Sequence, residues 1–357
     1  MNLLAARIAR LTEALGPLSI AQFMTIALLD PDAGYYATRD PFGESGDFVT
    51  APEISQMFGE IVGLWCVQVW LDQGKPSPAR LVELGPGRGT LMADALRAAR
   101  RVPEFLEAIE TVLVEASPTL RAVQENKLKD CGARVTWSAR FDDSLADRPL
   151  FVIANEFFDA LPIRQYVRTQ RGWCERMVVV DSEGALAFAL APAPTALVVD
   201  GDADAPPGAV HETSPAALAL AQDIARAIAQ HGGGALVIDY GYAQPGFGET
   251  LQAIGRHTFK SLLENPGTVD LSAHVDFAGL AAAARLGGAR THGPIAQGQF
   301  LDALGIGARA ARLSHLNPAQ EPSIAAAVDR LTNPAQMGSL FKALAITPPN
   351  APSPPGF

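Results

Sequence analysis

The chain has 357 residues, 48% hydrophobic and 18% charged, which is enough apolar material for a large core in one elaborated domain or two. Its formal net charge of −10 removes phosphate attraction as a source of affinity. Nucleic acid is therefore excluded as the expected partner, and a basic protein surface or a small molecule fits better. Three cysteines without a CxxC pair, Cys66, Cys131 and Cys174, predict reduced thiols in a cytoplasmic protein, and no run reaches the roughly 18 apolar residues of a membrane span.

In chain order, MNLLAARIARLTEAL sets Leu4, Ile8, Leu11 and Leu15 at helical spacing, which predicts a folded amphipathic helix rather than a targeting peptide. Ser19 and Gln22 predict a capping box for the helix IAQFMTIALL, stopped by Asp30-Pro31. An aromatic, glycine-rich loop follows, GYYATRDPFGESGDFVTAPE. Within it Asp47 and Phe48 are candidates for a lid over a cofactor, or for no more than an ordered loop. Thr50 and Glu53 predict a second capping box, opening the helix ISQMFGEIVGLWCVQVWL, which is apolar on nearly every side and so deeply buried.

From 80 to 155 short apolar strands alternate with helices: LVEL, TVLVEA, RVTW and LFVIAN, with Ser117 capping the helix after the second. This rhythm predicts a parallel sheet covered on both faces. After 162 it breaks into RQYVRT, WCERMVVVDS and ALAFALAP, read as antiparallel strands of an insertion. TALVVDGDADAPPGAVHE reads as an exposed loop, ALVIDYGY as a fifth sheet strand, 243–272 as a long ordered loop, and ARTHGPI as part of the terminal strands. The expected organisation is a helical region with a lid loop over 1–75 and an α/β core over 76–162 and 215–345. An antiparallel insertion for substrate binding spans 163–214, and a loose proline-rich tail spans 346–357.

The stretch LVELGPGRGTL places Gly85, Gly87 and Gly89 at the end of the first strand, with Pro86 between. There a ligand would sit at the carboxyl ends of the strands. The spacing is G-x-G-x-G, not the dinucleotide G-x-G-x-x-G, and the next strand-end acid, Glu115, stands about 30 residues on instead of about 20. Glu83, beside the loop, would repel a pyrophosphate but attract the ammonium of an amino acid. Glu115 is placed for both hydroxyls of a ribose. An ammonium at one end and a ribose at the other describe S-adenosylmethionine.

ELGPGRGTL resembles motif I of class I S-adenosylmethionine-dependent methyltransferases. Together with GDFVTAPEISQMFGE, ANEFFDALP, HTFKSLLENPG and DLSAHVDF, the chain resembles the MidA-like family over about residues 15 to 345. That family includes the mitochondrial complex I assembly arginine methyltransferase. The resemblance implies a Rossmann-like α/β fold, S-adenosylmethionine as cofactor and a protein arginine as methyl acceptor, with a complex I subunit as the example.

At the end of the fourth strand, Asn155, Glu156 and Asp159 are candidates for holding a guanidinium, whose planar fork matches carboxylates. The competing readings are that Asp159 caps a helix and Glu156 pairs with Arg164. Asp142 is a candidate adenine contact, and His257 a candidate base or a structural histidine. No metal is expected, because methyl transfer from a sulfonium needs none. The expected partner is a protein substrate and the expected assembly a homodimer. A non-catalytic assembly protein and a small-molecule methyltransferase are the alternatives.

Overall fold

The computed structural model describes residues 2–38, 49–196, 205–255 and 258–357. The chain divides into two compact units, residues 49–158, 218–243 and 277–357 in one, and residues 1–48, 159–217 and 244–276 in the other. Residues 49–75 thus group with the sheet, and 244–276 with the N-terminal helices.

The larger unit is built on one sheet. Its strands are, in chain order, Ala79–Leu84, Ile109–Val114, Val135–Ser138, Leu150–Asn155, Gly233–Tyr242, Arg290–Ala296 and Phe341–Thr347. Their order in space is third, second, first, fourth, fifth, seventh, sixth. The first five are parallel, and the seventh runs against both its neighbours. The chain winds outward from the first strand, then restarts on its other side with the fourth. The topological switch point, where open α/β sheets hold their ligands, therefore lies between the loops after strands one and four.

Helix Gln56–Asp72 covers one face of this sheet and buries Phe58, Val62, Trp65, Cys66 and Val69. It does not begin where the Thr50/Glu53 pair predicts. Thr50 precedes a separate four-residue helix, Ala51–Ile54, without a side-chain hydrogen bond, and Glu53 accepts instead from the hydroxyl of Thr90. Ser55, extended at φ −160°, breaks the run, and its Oγ caps the long helix by accepting from the Met57 N–H. The capping-box pattern is local, whereas Glu53 answers to a hydroxyl 37 positions away.

The long helix meets helix Thr90–Ala99 at Gly59 and Gly63. A Cβ at Gly63 would stand 2.5 Å from Ala95 Cα, and one at Gly59 2.8 Å from Asp94 Cβ. Backbone cannot yield there as a flexible side chain can. Gly63→Leu is therefore expected to cost about 2 kcal/mol by overpacking, read as a lowered denaturation midpoint with an unchanged slope.

The proline-rich tail is held. The Trp65 indole N–H donates to the Pro355 carbonyl at 3.1 Å, and the Phe357 ring lies 5.3 Å from that of Phe300. A buried indole N–H needs an acceptor, and the tail supplies it. Between the last two strands the helices Gln297–Ala303, Ile306–Leu316 and Glu321–Thr332 add a further layer.

In the smaller unit, helices Leu3–Leu15 and Ile20–Leu29 pack with antiparallel strands. The capping box of Ser19 and Gln22 is present in both directions. The three strands read after residue 162 form as Arg164–Thr169, Gly172–Val180 and Leu186–Leu190, with Val210–Thr213 joining the same sheet. The run read as a long loop from 243 contains a three-stranded antiparallel sheet, Gln252–Gly255, Thr258–Phe259 and Asp270–Ser272. Strands this short leave almost no alternation to read.

Candidate cofactor and methyl-transfer site

Gly85, Gly87 and Gly89 all lie in the left-handed region, at φ +59°, +54° and +76°. The Gly85 N–H donates to the Val114 carbonyl at 3.0 Å and the Gly89 N–H to the Pro86 carbonyl at 2.7 Å, which closes the turn before helix Thr90–Ala99. A Cβ at Gly85 would meet Phe157 Cδ2 at 2.7 Å. The loops after the first and fourth strands thus touch at the switch point.

Glu83 is 3% exposed, and its Oε2 has no hydrogen-bond partner among the described residues. Burial pushes its carboxyl up to about 8. Asn155, 8% exposed, likewise leaves Oδ1 without a partner. Side chains alternate along a strand, so Glu83 shares a sheet face with Leu81, Phe151, Ile153 and Asn155. Leu81, Phe151 and Ile153 pack with helix Gln56–Asp72. On that helix burial, followed by the nearby Glu83 charge, pushes the Cys66 thiol up to about 12. Two buried acceptors without donors are costly in an apolar setting. On one face of neighbouring strands they suit a cation with several N–H donors, such as an amino-acid ammonium.

Glu115, at the end of the second strand, is buried and doubly held. Its Oε1 accepts from the Ser117 N–H at 2.7 Å and its Oε2 from Gln124 Nε2 at 3.1 Å. Burial raises its carboxyl above the usual range, and these two donors work against that rise. Gln124 belongs to helix Pro118–Leu128, capped as expected by Ser117, and sequence reasoning passed it over.

At the end of the fourth strand, Glu156 takes a left-handed φ of +50°, unusual for a residue with a side chain. Its N–H donates to the Ile238 carbonyl at 2.9 Å, and its Oε1 accepts from the Ala51 N–H at 2.9 Å and from Asn155 Nδ2 at 3.2 Å. The next turn is held by Asp239, fully buried in the fifth strand, whose Oδ2 accepts the Phe157 and Phe158 N–H groups at 3.1 and 3.0 Å. Asp239 was also missed, although an acid inside the apolar run ALVIDY was a signal for it. Arg164, weighed as a partner for Glu156, pairs with Glu175 at 3.5 Å.

Asp159 belongs to the other unit and is buried there. Its carbonyl accepts the Ala273 N–H at 3.0 Å. In the same unit the Tyr36 hydroxyl donates to Asp270 Oδ1 at 2.8 Å. Burial, then the charges of Asp270 and Asp159, push the Tyr36 phenol well up. Asp142 caps the turn Asp143–Leu145, accepting from the Ser144 N–H and hydroxyl at 3.0 and 2.6 Å. Those bonds hold its carboxyl below the usual range. Asp47, Phe48 and His257 lie outside the described residues.

A doubly wound sheet with left-handed glycines at its switch point, an open buried acid beside them and a second acid closing the next strand defines an enzyme of the S-adenosylmethionine-binding class. Comparison with known proteins gives the same class. Residues 61–295 match the family described as "Putative S-adenosyl-L-methionine-dependent methyltransferase". The mitochondrial protein arginine methyltransferase NDUFAF7 of Mus musculus is 37% identical over 94% of this chain and 82% of its own length, and that of Homo sapiens 35% over 94% and 81%. A Burkholderia thailandensis protein solved with S-adenosyl-homocysteine bound superposes with a TM-score of 0.85 at 31% identity, over 99% of this chain and 93% of that one. The chain belongs to this family of S-adenosylmethionine-dependent methyltransferases.

The cytoplasmic expectation is overturned by the same relatives, which are named as mitochondrial proteins. Unpaired thiols report only a reducing environment and do not separate one reducing compartment from another.

Proposed function

We propose that this methyltransferase acts on an arginine side chain of a protein. The observation that carries the proposal is the likeness to relatives named protein arginine methyltransferases, at 35–37% identity along nearly the whole chain. A respiratory complex I subunit is the proposed acceptor, on the family resemblance of ANEFFDALP and DLSAHVDF. The working assembly is a homodimer, open to light scattering.

Glu83, with Asn155 beside it, holds the cofactor ammonium, Glu115 holds the ribose hydroxyls, and the glycine loop lets the backbone approach closely. When bound, the cofactor supplies a methyl on a sulfonium and leaves as a neutral thioether. Glu156 is the carboxylate that orients the guanidinium and takes up its proton as the new bond forms. Asp159, three residues on, is proposed as a second carboxylate on sequence spacing alone. A guanidinium keeps its proton far above neutral pH and is a poor nucleophile while protonated. Alignment of its nitrogen with the methyl can supply roughly 7–11 kcal/mol of the barrier reduction.

The test is transfer of labelled methyl to an arginine-containing complex I subunit, with amino-acid analysis of the product. Glu156→Ala is expected to lower the rate at least about 100-fold, with S-adenosylhomocysteine affinity nearly intact. Glu156→Gln keeps an acceptor for the Ala51 N–H and isolates the charge. If Glu156→Gln transfers at the native rate, the carboxylate role is wrong. If label appears only on residues other than arginine, the acceptor assignment is wrong.

A further inference from the structure

Gln124 is fully buried, and its amide touches three parts of the sheet edge at once. Its Nε2 donates to the Gly87 carbonyl at 2.7 Å and to Glu115 Oε2 at 3.1 Å, while its Oε1 accepts the Trp137 indole N–H at 2.9 Å. The first contact lies in the glycine loop after strand one, the second at the end of strand two, and the third on strand three. A Cβ at Gly89 would stand 3.4 Å from Gln124 Cγ, so the stem of the side chain packs under the loop as well.

Only an amide offers donors and an acceptor of this kind without charge. A glutamate would face Glu115 as a like charge, and an aliphatic side chain would strand the indole N–H. With the Ser117 N–H on Oε1 and Gln124 on Oε2, the Glu115 carboxylate has one orientation, and its remaining lone pairs are aimed by those two bonds. The same amide fixes the peptide plane at Gly87. Such a buried and satisfied network holds its members more rigidly than single pairs would.

We propose that Gln124 is a positioning residue for the cofactor, setting Glu115 for the two ribose hydroxyls and the Gly87 peptide for the amino-acid end. The inference rests on the reading of Glu115 as the ribose carboxylate. It assigns Gln124 no contact with the reacting atoms, so its loss is felt in cofactor affinity and not in the methyl-transfer step.

Gln124→Met keeps the length and removes the hydrogen bonds. Calorimetric titration with S-adenosylhomocysteine is expected to show about tenfold weaker binding, and a 2′,3′-dideoxyribose analogue should lose far less. The KM for S-adenosylmethionine rises and kcat at saturation stays near native. Glu115→Gln gives the ribose part of this loss, and the double variant loses little beyond Gln124→Met alone. Gln124→Glu keeps the volume and the acceptor for Trp137. Its affinity relative to the native chain falls as pH rises, because its own carboxyl ionises beside Glu115. Equal loss of both ligands with Gln124→Met, or a pH-independent ratio with Gln124→Glu, overturns the proposal in favour of a packing role. If Glu115→Gln binds S-adenosylhomocysteine normally, the ribose reading of Glu115 is the part that fails. If Glu115→Gln weakens binding and Gln124→Met does not, the Gln124 inference alone fails.

Discussion

Glu83→Gln is expected to weaken S-adenosylhomocysteine binding about 100-fold and, in the same protein without ligand, to raise the melting temperature at pH 8. The two effects have one cause. Burial lifts the Glu83 carboxyl to about 8, against 4.5 for the exposed group. Between these values the folded chain keeps a proton that the unfolded chain has lost. The Glu83 contribution to stability is therefore full below about pH 4.5 and declines as pH rises towards 8. At about 1.36 kcal/mol per unit, the decline amounts to about 5 kcal/mol. Glutamine cannot ionise, so the variant lacks that slope and gains on the native chain as pH rises.

The proposed ammonium contact reverses the preference: a cation beside Glu83 would stabilise the carboxylate, so binding below pH 8 is expected to expel a proton and native affinity to rise with pH. The variant should show little of this dependence. Titration in two buffers of different ionisation heat reads the proton directly. Native affinity independent of pH, or a variant that binds as well as the native chain, would remove the ammonium from Glu83.

Gly85→Ala is expected to cost about 3 kcal/mol and to impair cofactor binding with it, from two separate penalties. One is conformational, because φ +59° is poorly tolerated by a residue with a Cβ. The other is steric, because that Cβ would lie 2.7 Å from Phe157 Cδ2. Pairing Gly85→Ala with Phe157→Leu separates them. The second change should return the steric part of the lost stability and leave the conformational part in place. Recovery of full native stability would mean that the left-handed conformation is not required. No recovery would mean that the two loops do not meet as described.

Much of the geometry of the candidate site was legible in the residues themselves. A strand end, three closely spaced glycines and the charge sign of Glu83 are local features, and together with Glu115 they narrow the ligand to a cationic nucleoside cofactor. The residues that hold this machinery were not legible. Gln124 stands between Leu120 and Leu128 on the buried face of its helix, a spacing that signals burial but names none of its hydrogen-bond partners. Its contacts arise because packing brings Gly87, Glu115 and Trp137, far apart in the chain, within hydrogen-bond distance. The tail acceptor for Trp65 is of the same kind.

By itself the sequence determined the strand-and-helix alternation, the Ser19 and Ser117 caps, the glycine turn and the acids beside it. Each of these follows from dihedral preference, side-chain period or charge within a few residues. Only the tertiary structure decided the order of the strands, the start of helix Gln56–Asp72, the grouping of 244–276 with the N-terminal helices, and which buried acceptors lack a donor. Those depend on which distant groups come into contact, and hydrogen-bond satisfaction in a buried site is a property of that contact set rather than of any segment within it.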